Sequence, residues 1–409
     1  MLTDTVVYDP YSAAFKADPW LVYRQLRDHA PVYRSEKWGF WALSRFEDVR
    51  GAARDHETFL SFEGIDIDDT AKDMSSPGFL PDVDNPRHDQ LRRIVQRSFL
   101  PRTIAKLEDD VRRVITGLVD RFADEGEADI AQDLSWPIPY AVFFDVLGLP
   151  VTGSDREDLV RWSHGLKDRE NDDPRLTPVA WDALHNTKDY LAAVLTERRR
   201  SPREDLLSTL ATASVEDHES TPFAPPTIDR DSEIVGLAFV LFMAGVESTS
   251  ALLSTAFREL ALHPDQRRAL VEDPSGIPAA VEEALRFDAP LQVSGRTTTR
   301  DVELHGVTIP AGQRVFLIHG SANRDERQFD DPDRFDVFRA PKRHMSFSEG
   351  LHGCLGAPLA RLEARVALEV ALPRLGDYAI SGPLVQYRST PNMRVLDRLP
   401  VSFTPGSAS

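Results

Sequence analysis

The sequence predicts a mainly α-helical protein with a few small β-sheets. From residue 87 onward, apolar side chains recur at helical spacing, whereas strand-like alternation is short and confined to a few segments. No Gly/Ser tract, Pro-rich spacer or internal repeat divides the chain of 409 residues. We therefore predict one domain that covers residues 1–409.

Proline positions and apolar spacing set the predicted helix bounds. Proline is tolerated in the first turn of a helix because the N–H groups of that turn have no partner within the helix. Pro19, followed by Leu21, Val22 and Leu26, therefore predicts a short amphipathic helix. The other predicted helices cover residues 87–99, 103–123, 137–147, 155–166, 178–200, 228–262, 264–272, 278–286 and 356–372, and Pro373 is expected to end the last one.

Strand-like patterns lie toward the two ends of the chain. Alternation within residues 32–43 predicts two paired strands. Residues 297–304 and 306–309 predict a hairpin, and residues 314–318 predict a further strand. Residues 64–83 are rich in Asp, Ser, Pro and Gly without a period, which predicts a long loop. Loops of this length usually serve a function or are disordered.

Charge and cysteine content exclude several classes of protein. The net charge of −18 argues against a nucleic-acid partner, because phosphate binding needs a basic face. The single cysteine, Cys354, excludes an intramolecular disulfide and a zinc site of paired cysteines, and it fits a reducing cytoplasm. We expect neither a signal peptide nor an anchor in the acidic N-terminal segment. The longest apolar stretch, residues 234–246, is shorter than the roughly 20 residues that cross a bilayer and predicts a buried helix.

The most informative local pattern surrounds Cys354. Glycines in this segment let the backbone turn tightly, so that amide N–H groups and the positive end of the following helix favour a thiolate over a thiol. Such a sulfur suits a haem iron, whereas an isolated cysteine is by default a buried structural residue. The segment reads Phe347, Ser348, Glu349, Gly350, Leu351, His352, Gly353, Cys354, Leu355, Gly356.

The offsets of Phe347, Gly350, His352, Cys354 and Gly356 resemble the haem-binding loop of the cytochrome P450 family. This resemblance covers nearly the whole chain. It implies a P450-type helical fold in which haem b lies between the long central helix and the cysteine loop, with Cys354 as the iron ligand. It also implies a soluble monooxygenase that activates O2.

Two charged residues precede the loop at a spacing that is similar to another family signature. Glu283 and Arg286 lie one helical turn apart and can pair, although such pairs are common on solvated helix faces. The segment 335–339 looks like the one that supplies a second arginine, Arg339. The resemblance implies a structural role for this network and no catalytic one.

Four basic residues match the positions that bind haem propionates in the family. His88 and Arg92 lie four residues apart and share a helix face, while Arg296 and His352 lie elsewhere in the chain. Charge-assisted hydrogen bonds to carboxylates suit arginine and protonated histidine. The resemblance implies that these four residues hold the haem.

Within the predicted central helix, Ala244, Gly245, Glu247, Ser248 and Thr249 resemble the family's oxygen-binding groove. Gly245 costs about 1 kcal/mol relative to Ala inside a helix, so it either leaves room for dioxygen or lets another helix pack closely. The resemblance implies that Glu247 relays protons and that the neighbouring hydroxyl orders water. The family usually has Thr at position 248, and Thr249 is the candidate compensating hydroxyl.

A second departure from the family lies at Ser348, where the haem loop usually has Gly. If this position needs a positive φ, Ser is strained there. We expect a slightly altered loop and no loss of haem.

The chain has no G-x-G-x-x-G loop between a strand and a helix, so we expect electrons from a separate ferredoxin and its reductase. A group of basic residues falls, by resemblance, on the proximal side of the haem, where an acidic ferredoxin would dock. The alternative is a set of scattered solvated charges. We expect a cytoplasmic monomer that binds no membrane. The basic residues are Arg87, Arg92, Arg93, Arg97, Arg102, Lys106, Arg112 and Arg113.

Candidate substrate residues predict a small apolar molecule, aromatic or terpenoid, with few polar anchors. Hydroxylation beside an ether oxygen would give O-demethylation. The acidic residues Glu63, Asp66, Asp68 and Asp69 argue against a carboxylate substrate. The candidates are Phe62, Phe79, Val240, Ala244, Gln292, Val293 and Met393.

Two other functions stay open at this point. A haem-thiolate oxidase would use the same oxidant for oxidative coupling, or would use peroxide directly, and Ser248 leaves this open. A haem sensor or carrier would not catalyse at all. Labelled dioxygen separates hydroxylation from coupling, and turnover with a surrogate ferredoxin separates an enzyme from a sensor.

Overall fold

The computed structural model describes residues 6–66, 77–166, 168, 175–214, 230–340, 342–386 and 392–405. Helices dominate these residues. In chain order they are α1 Ala13–Ala17, α2 Trp20–His29, α3 Phe46–Arg54, α4 Arg87–Val95, α5 Pro101–Ile104, α6 Glu108–Val119, α7 Pro137–Leu147, α8 Ser154–Gly165, α9 Pro178–Arg200, α10 Leu206–Thr212, α11 Arg230–Ala244, α12 Glu247–Leu262, α13 Pro264–Glu272, α14 Ile277–Phe287, α15 His319–Ala322 and α16 Ala357–Leu375.

Short strands form four small sheets in the described residues. The largest sheet has five strands in the order β1-β2-β8-β5-β3, in which β2 and β8 are parallel and the other pairs are antiparallel. The other sheets are β4-β12-β9, β10-β11 and the hairpin β6-β7. The strands are β1 Val32–Ser35, β2 Phe40–Leu43, β3 Phe59–Leu60, β4 Glu127–Asp129, β5 Val293–Thr298, β6 Val302–Leu304, β7 Val307–Ile309, β8 Arg314–Ile318, β9 Ala379–Ile380, β10 Val385–Gln386, β11 Leu396–Arg398 and β12 Pro400–Ser402.

The predicted mainly helical fold with small sheets is confirmed. Helices α7, α9 and α13 have the predicted bounds, and each has a proline in its first turn. The paired strands β1 and β2, the hairpin and strand β8 are also present. The predicted long loop begins as expected and contains a 3-10 turn at Leu80–Asp82, while its residues 67–76 lie outside the described part of the chain.

The predicted helix 228–262 is wrong in one respect, because its described part is two helices. α11 ends at Ala244 and α12 begins at Glu247. A side chain at Gly245 would collide with the ring of Phe143 on α7, since an added Cβ would lie 2.1 Å from a ring atom. The break therefore lies where α7 packs closely on the central helix. This packing explains why position 245 is a glycine.

Two other helix predictions differ from the structure. Pro373 does not end α16, which continues to Leu375 and closes with the Gly376 amide on the Leu372 carbonyl at 3.0 Å. A proline in the last turn removes only one helical hydrogen bond, and burial of Leu375 offsets that loss. The predicted helix 103–123 is instead divided between α5, a 3-10 turn at Ala105–Leu107 and α6.

Apolar packing joins distant parts of the chain. The largest buried cluster extends from Phe79 to Phe403 and includes most helices after α4. Two smaller clusters lie around the five-stranded sheet, one of them rich in N-terminal aromatic side chains such as Tyr8 and Phe15. The shared cluster supports a single domain, which stays a prediction.

The segment Arg230–Leu262 is long and apolar enough to cross a membrane by composition alone. However, 72% of its most apolar window is buried inside the protein. We conclude that α11 and α12 pack as core helices, in agreement with the predicted buried helix.

A buried ion-pair network confirms the predicted pairing of Glu283 with Arg286. The guanidinium of Arg286 donates to both carboxylate oxygens of Glu283, at 2.7 and 2.8 Å. Arg339 adds a third bond to the same carboxylate at 3.2 Å, and Arg286 also reaches the carbonyls of Asn323 and Pro332. This network ties α14 to the segment that leads into the cysteine loop.

Glu363 on α16 is a buried carboxyl whose Oε2 has no hydrogen-bond partner. Burial raises its pKa to about 8, so the folded protein keeps the proton to higher pH than the unfolded chain does. Stability from this group is therefore full at low pH and falls as the pH rises from about 4.5 toward 8.

We predict that Glu363→Gln flattens this pH dependence. The variant keeps the shape of the neutral carboxyl and should gain on the order of 3 kcal/mol relative to wild type between pH 5 and pH 8. Urea unfolding at several pH values measures the change. Glu272→Gln, at the exposed end of α13, is the control. A parallel pH dependence in Glu363→Gln and wild type would contradict the prediction.

Candidate haem and oxygen site

Cys354 lies in a tight loop that leads into α16. Its amide donates to the Phe347 carbonyl at 2.9 Å, and the amides of Gly356 and Ala357 donate to its sulfur. The side chain is accessible, yet protein atoms surround it closely, so it faces an internal cleft and not the outer surface. The loop thus presents one sulfur with amide donors behind it.

Electrostatics at the sulfur differ from the expectation in their net direction. Burial raises the pKa of the Cys354 thiol, while the amides of Gly356 and Ala357 and the charges of Arg92 and Arg361 act to lower it. The predicted donors are therefore present but do not outweigh burial. A metal cation would supply the missing stabilisation of a thiolate.

Arginines hold the loop from both sides. Arg92 donates to the carbonyls of Leu351 and Gly353, at 3.2 and 2.7 Å. Arg361 lies over the ring of Phe347, 4.5 Å from its centroid, and pairs with Glu282 at 2.6 Å. The described contacts of Arg92 thus go to the cysteine loop, which is a use that the sequence did not indicate.

Gly350 and Ser348 both have positive φ angles in this loop, 70° and 55°. A side chain at Gly350 would lie 2.6 Å from the Ala53 carbonyl, so the loop packs closely on α3. Ser348 thus has the positive φ at which a serine is expected to be strained. Its buried Oγ also has no hydrogen-bond partner.

Buried basic groups gather beside the cysteine loop. The rings of His88 and His352 lie 4.7 Å apart, and Ser61 contacts His352 at 3.1 Å. Burial, with added repulsion from Arg92, lowers the pKa of His88 to about 4, and burial lowers the pKa of Arg296 to about 10. Among the described residues, no carboxylate forms a salt bridge with Arg296, and Nε2 of His88 has no partner.

This basic cluster fits a ligand that carries carboxylates. Within the described part of the chain, the Arg296 guanidinium donates to the Gly295 carbonyl at 2.6 Å, and the nearby charges of Asp84 and Asp82 act to raise its pKa without forming a salt bridge. Burying a cation is costly unless an opposite charge compensates it. The two propionates of a haem would supply that charge, so the donors present fit the group.

The break in the central helix forms the other side of the cleft. Ala244 is exposed, although Phe242 and Val246 near it are buried. The Ser248 hydroxyl donates to the Ala244 carbonyl at 2.9 Å, and the Ser250 hydroxyl donates to the Val246 carbonyl at 3.0 Å. The Ser248 hydroxyl thus satisfies the Ala244 carbonyl at the break, whereas the Val246 carbonyl also accepts the Ser250 amide at 3.0 Å.

The other residues of the predicted oxygen motif face elsewhere. Gly245 lies against Phe143, and Thr249 is buried. Glu247 is buried in the first turn of α12, where the helix dipole favours a carboxylate. It lines a cavity together with Trp136, Tyr140, Ser163, Leu166, Met243 and Val246.

Some candidate substrate residues lie close together. The ring centroids of Phe79 and Phe239 are 6.3 Å apart, and Val240 is buried next along α11. Phe62 is 38% exposed, and Met393 bridges to Leu291. These positions are compatible with an apolar pocket.

Other candidates are engaged elsewhere. The Gln292 amide bonds to the Tyr23 hydroxyl and to the Ala289 carbonyl, and Val293 packs in the N-terminal aromatic cluster. Glu63 accepts from Thr297 at 2.7 Å, and Asp66 pairs with Asn392. Asp68 and Asp69 lie outside the described residues.

The sequence did not indicate three residues that support the site. Ser61 contacts His352 across 291 positions, and Asp84 accepts the amides of Ser61 and Phe62 at 3.0 Å. Glu282 binds both Arg361 and His344. Glu282 is adjacent to Glu283 of the family signature, but no sequence motif marks Glu282, Ser61 or Asp84 as part of the site.

Comparison with known proteins decides the family. The family model for cytochrome P450 matches residues 42–275 and 277–375. The chain belongs to the cytochrome P450 family. As a member, it is a monooxygenase that binds haem through a cysteine thiolate.

Similar members come from several bacteria. The vitamin D(3) 25-hydroxylase of Pseudonocardia autotrophica is 36% identical over 413 residues, 99% of each chain. The erythromycin C-12 hydroxylase of Saccharopolyspora erythraea is 39% identical over 357 residues, 86% of this chain and 85% of the relative. The solved structure of the P450 PksS, from the bacillaene polyketide synthase of Bacillus subtilis 168, has a TM-score of 0.85 at 29% identity and covers 97% of this chain and 100% of its own.

We predict that Ser348→Gly stabilises this cytochrome P450 by about 1 to 2 kcal/mol. Glycine removes the left-handed strain and the unpaired hydroxyl together. Denaturant unfolding of the haem-loaded protein measures the gain. Ser346→Gly is the matched control and should destabilise, because Ser346 bonds to Leu285 and Asn323 at 2.6 and 2.7 Å. A loss of stability in Ser348→Gly would refute the assignment of strain.

Proposed function

We propose that this P450 is a ferredoxin-dependent monooxygenase that hydroxylates an apolar molecule, with Cys354 as the iron ligand. The observation that carries the proposal is the placement of the chain's one cysteine in a donor-lined loop beside Arg296 and two histidines whose pKa values are lowered by burial. Haem, when bound, supplies the iron at which dioxygen is activated and one oxygen atom reaches the substrate.

Residues around the cleft divide the work of holding haem. Arg296, His88 and His352 would bind its propionates, and this role is supported by their burial, which lowers the pKa of each of them. Arg92 and the amide donors would keep the sulfur in position. Phe347, held under Arg361, would cover the sulfur side of the ring, and Gly350 lets the loop approach α3.

On the opposite side, residues at the helix break would handle protons. Ala244, which is exposed in the cleft, marks the side at which substrate and oxygen meet the helix. Glu247 would accept a proton from solvent and release it toward the cleft. The Ser248 hydroxyl, which now bonds to the Ala244 carbonyl, would order water there once it turns away. Thr249 is buried, and we assign it no step.

The substrate is apolar, with few polar anchors, because aromatic and aliphatic side chains dominate the candidate pocket near Phe79 and Val240. Relatives named for vitamin D(3) and erythromycin favour a bulky polycyclic or macrocyclic guest over a small aromatic one. The contacts of Glu63 and Asp66 within the protein weaken the argument that these acids repel a carboxylate.

Four exposed basic residues would form the ferredoxin-docking surface, namely Arg93, Arg97, Arg102 and Lys106. Arg87 does not belong to this surface, because it is buried and paired with Glu233. Arg112 and Arg113 are paired with Glu369 and Asp110. We propose a cytoplasmic monomer that binds its redox partner through this smaller surface of four basic residues.

Labelled dioxygen tests the function. A spin-state screen of the ferric haem first finds a binding guest. We expect one labelled oxygen atom in the product when that guest, a surrogate ferredoxin and its reductase are supplied. Cys354→Ser should lose the red-shifted carbon monoxide band and the labelled product. Product without label, or a red-shifted band that survives in Cys354→Ser, would overturn the proposal.

Charge reversal tests the docking surface. Arg97→Glu with Lys106→Glu should slow electron transfer from an acidic ferredoxin by about tenfold at low salt, because attraction at this surface speeds the encounter. The difference should shrink as salt screens the charges. Stopped-flow reduction measures both rates. Arg161→Glu on α8 is the control, and an equal slowing in that variant would contradict a local docking surface.

A further inference from the structure

A cavity lies on the side of the helix break that carries Glu247. Its lining comes from four helices and the turns beside them: Glu247, Met243 and Val246 at the break, Tyr140 and Trp136 at α7, and Ser163 at α8. It leaves about 20 Å³ for the centre of a water molecule. This space exceeds the roughly 10–15 Å³ that one water needs, and the cavity has several polar groups on its wall.

The packing that accompanies the helix break also positions Tyr140. Phe143 lies directly on Gly245, and Tyr140 precedes Phe143 by three residues on α7, so both share one helix face. Tyr140 therefore reaches the wall beside Glu247 while Phe143 occupies the break. Its ring packs against Phe144 at 5.4 Å and Trp136 at 6.3 Å, which fixes the hydroxyl position.

Hydrogen-bond directions follow from the number of protons available. Ser163 Oγ is 2.8 Å from the Val160 carbonyl, which can only accept, so the serine proton points there. Tyr140 Oη is 2.5 Å from Ser163 Oγ, so the tyrosine must donate to the serine. The remaining lone pair of Tyr140 then faces other groups as an acceptor.

We propose that Tyr140 and Ser163 form the solvent-side entry through which protons reach Glu247. This inference rests on the proposed monooxygenase function. A water in the cavity donates one hydrogen to Tyr140 Oη and one to the Glu247 carboxylate. Its lone pair is thereby directed away from both acceptors, ready to take a proton from solvent.

The transfer leaves each group as it began. A solvent proton joins the cavity water, and the hydrogen that faces Glu247 passes to the carboxylate, which restores the water. The carboxyl then releases that proton on the cleft side of the helix break and returns to carboxylate. Tyr140 and Ser163 keep their own protons throughout, so they are positioning residues.

Tyr140→Phe tests the role, because it removes the hydroxyl and keeps the ring. In the haem-loaded protein without turnover, the infrared carboxylate band of Glu247, identified by its loss in Glu247→Gln, should shift, because the water that donates to this carboxylate loses its second partner. During turnover, product formation should slow by about tenfold with a larger solvent isotope effect, since one positioned proton-transfer partner is lost. Ser163→Ala should shift the band and slow product formation in the same direction as Tyr140→Phe, but by a smaller amount.

Tyr190→Phe is the matched control, because it also removes a tyrosine hydroxyl bonded to α8, at Asp155, but lies outside the cavity lining. It should leave the band and the isotope effect unchanged. An unshifted Glu247 band and an unchanged isotope effect in both Tyr140→Phe and Ser163→Ala, with wild type turning over, would overturn the inference. Absence of labelled product from wild type would instead overturn the proposed function, and the infrared comparison does not depend on turnover.

Discussion

A buried charge is costly unless an opposite charge compensates it. This requirement separates the ion pairs that stabilise the fold from the charged residues of the candidate site. Glu283 and Arg286 satisfy each other deep in the protein, as do Arg198 and Asp205 at the junction of α9 and α10. The first pair lies within α14 and is linked to later segments through Arg339 and the Asn323 and Pro332 carbonyls, whereas the second pair joins α9 to α10. Arg296 is buried as deeply but has no carboxylate in a salt bridge within the described residues. Asp84 and Asp82 act on Arg296 only through space and do not outweigh its burial, so a carboxylate-bearing cofactor would supply direct compensation there.

The contact between Phe143 and Gly245 has a similar organising effect on the distal side. It lets α7 approach the central helix more closely than any side chain at position 245 would allow. The helix is interrupted at this point, where the Ala244 carbonyl accepts from the Ser248 hydroxyl and the Val246 carbonyl accepts from both the amide and the hydroxyl of Ser250. Glu247 then opens α12 and lines a polar cavity beside the break. The contact between Phe143 and Gly245 therefore lies at the helix break, next to Glu247 and next to the cavity through which we propose that protons enter.

Sequence reasoning succeeded where the determining interactions are local. Helices α7, α9 and α13 carry a proline in the first turn, and the cysteine loop is a contiguous motif, so both were predictable. The break after Ala244 coincides with the packing of Phe143 on Gly245, a contact between residues about a hundred positions apart in the chain. Short strands such as Phe59–Leu60 and Pro400–Ser402 have too few residues for a visible period and form only through pairing with distant strands. The same limit hid Ser61 and Asp84, whose roles arise from long-range contacts.

Ser248 shows why motif resemblance and structure give different information about the distal side. Its hydroxyl is the group that the family pattern associates with oxygen chemistry, yet here it satisfies the Ala244 carbonyl at the break. Serine can leave that bond by rotating about χ1 more freely than threonine, because it lacks the second substituent on Cβ. Thr249 cannot substitute without exposing a buried side chain. Rotation of Ser248 therefore exchanges a bond that supports the helix for one that orders water, and the energy of that exchange limits how often the hydroxyl faces the cleft.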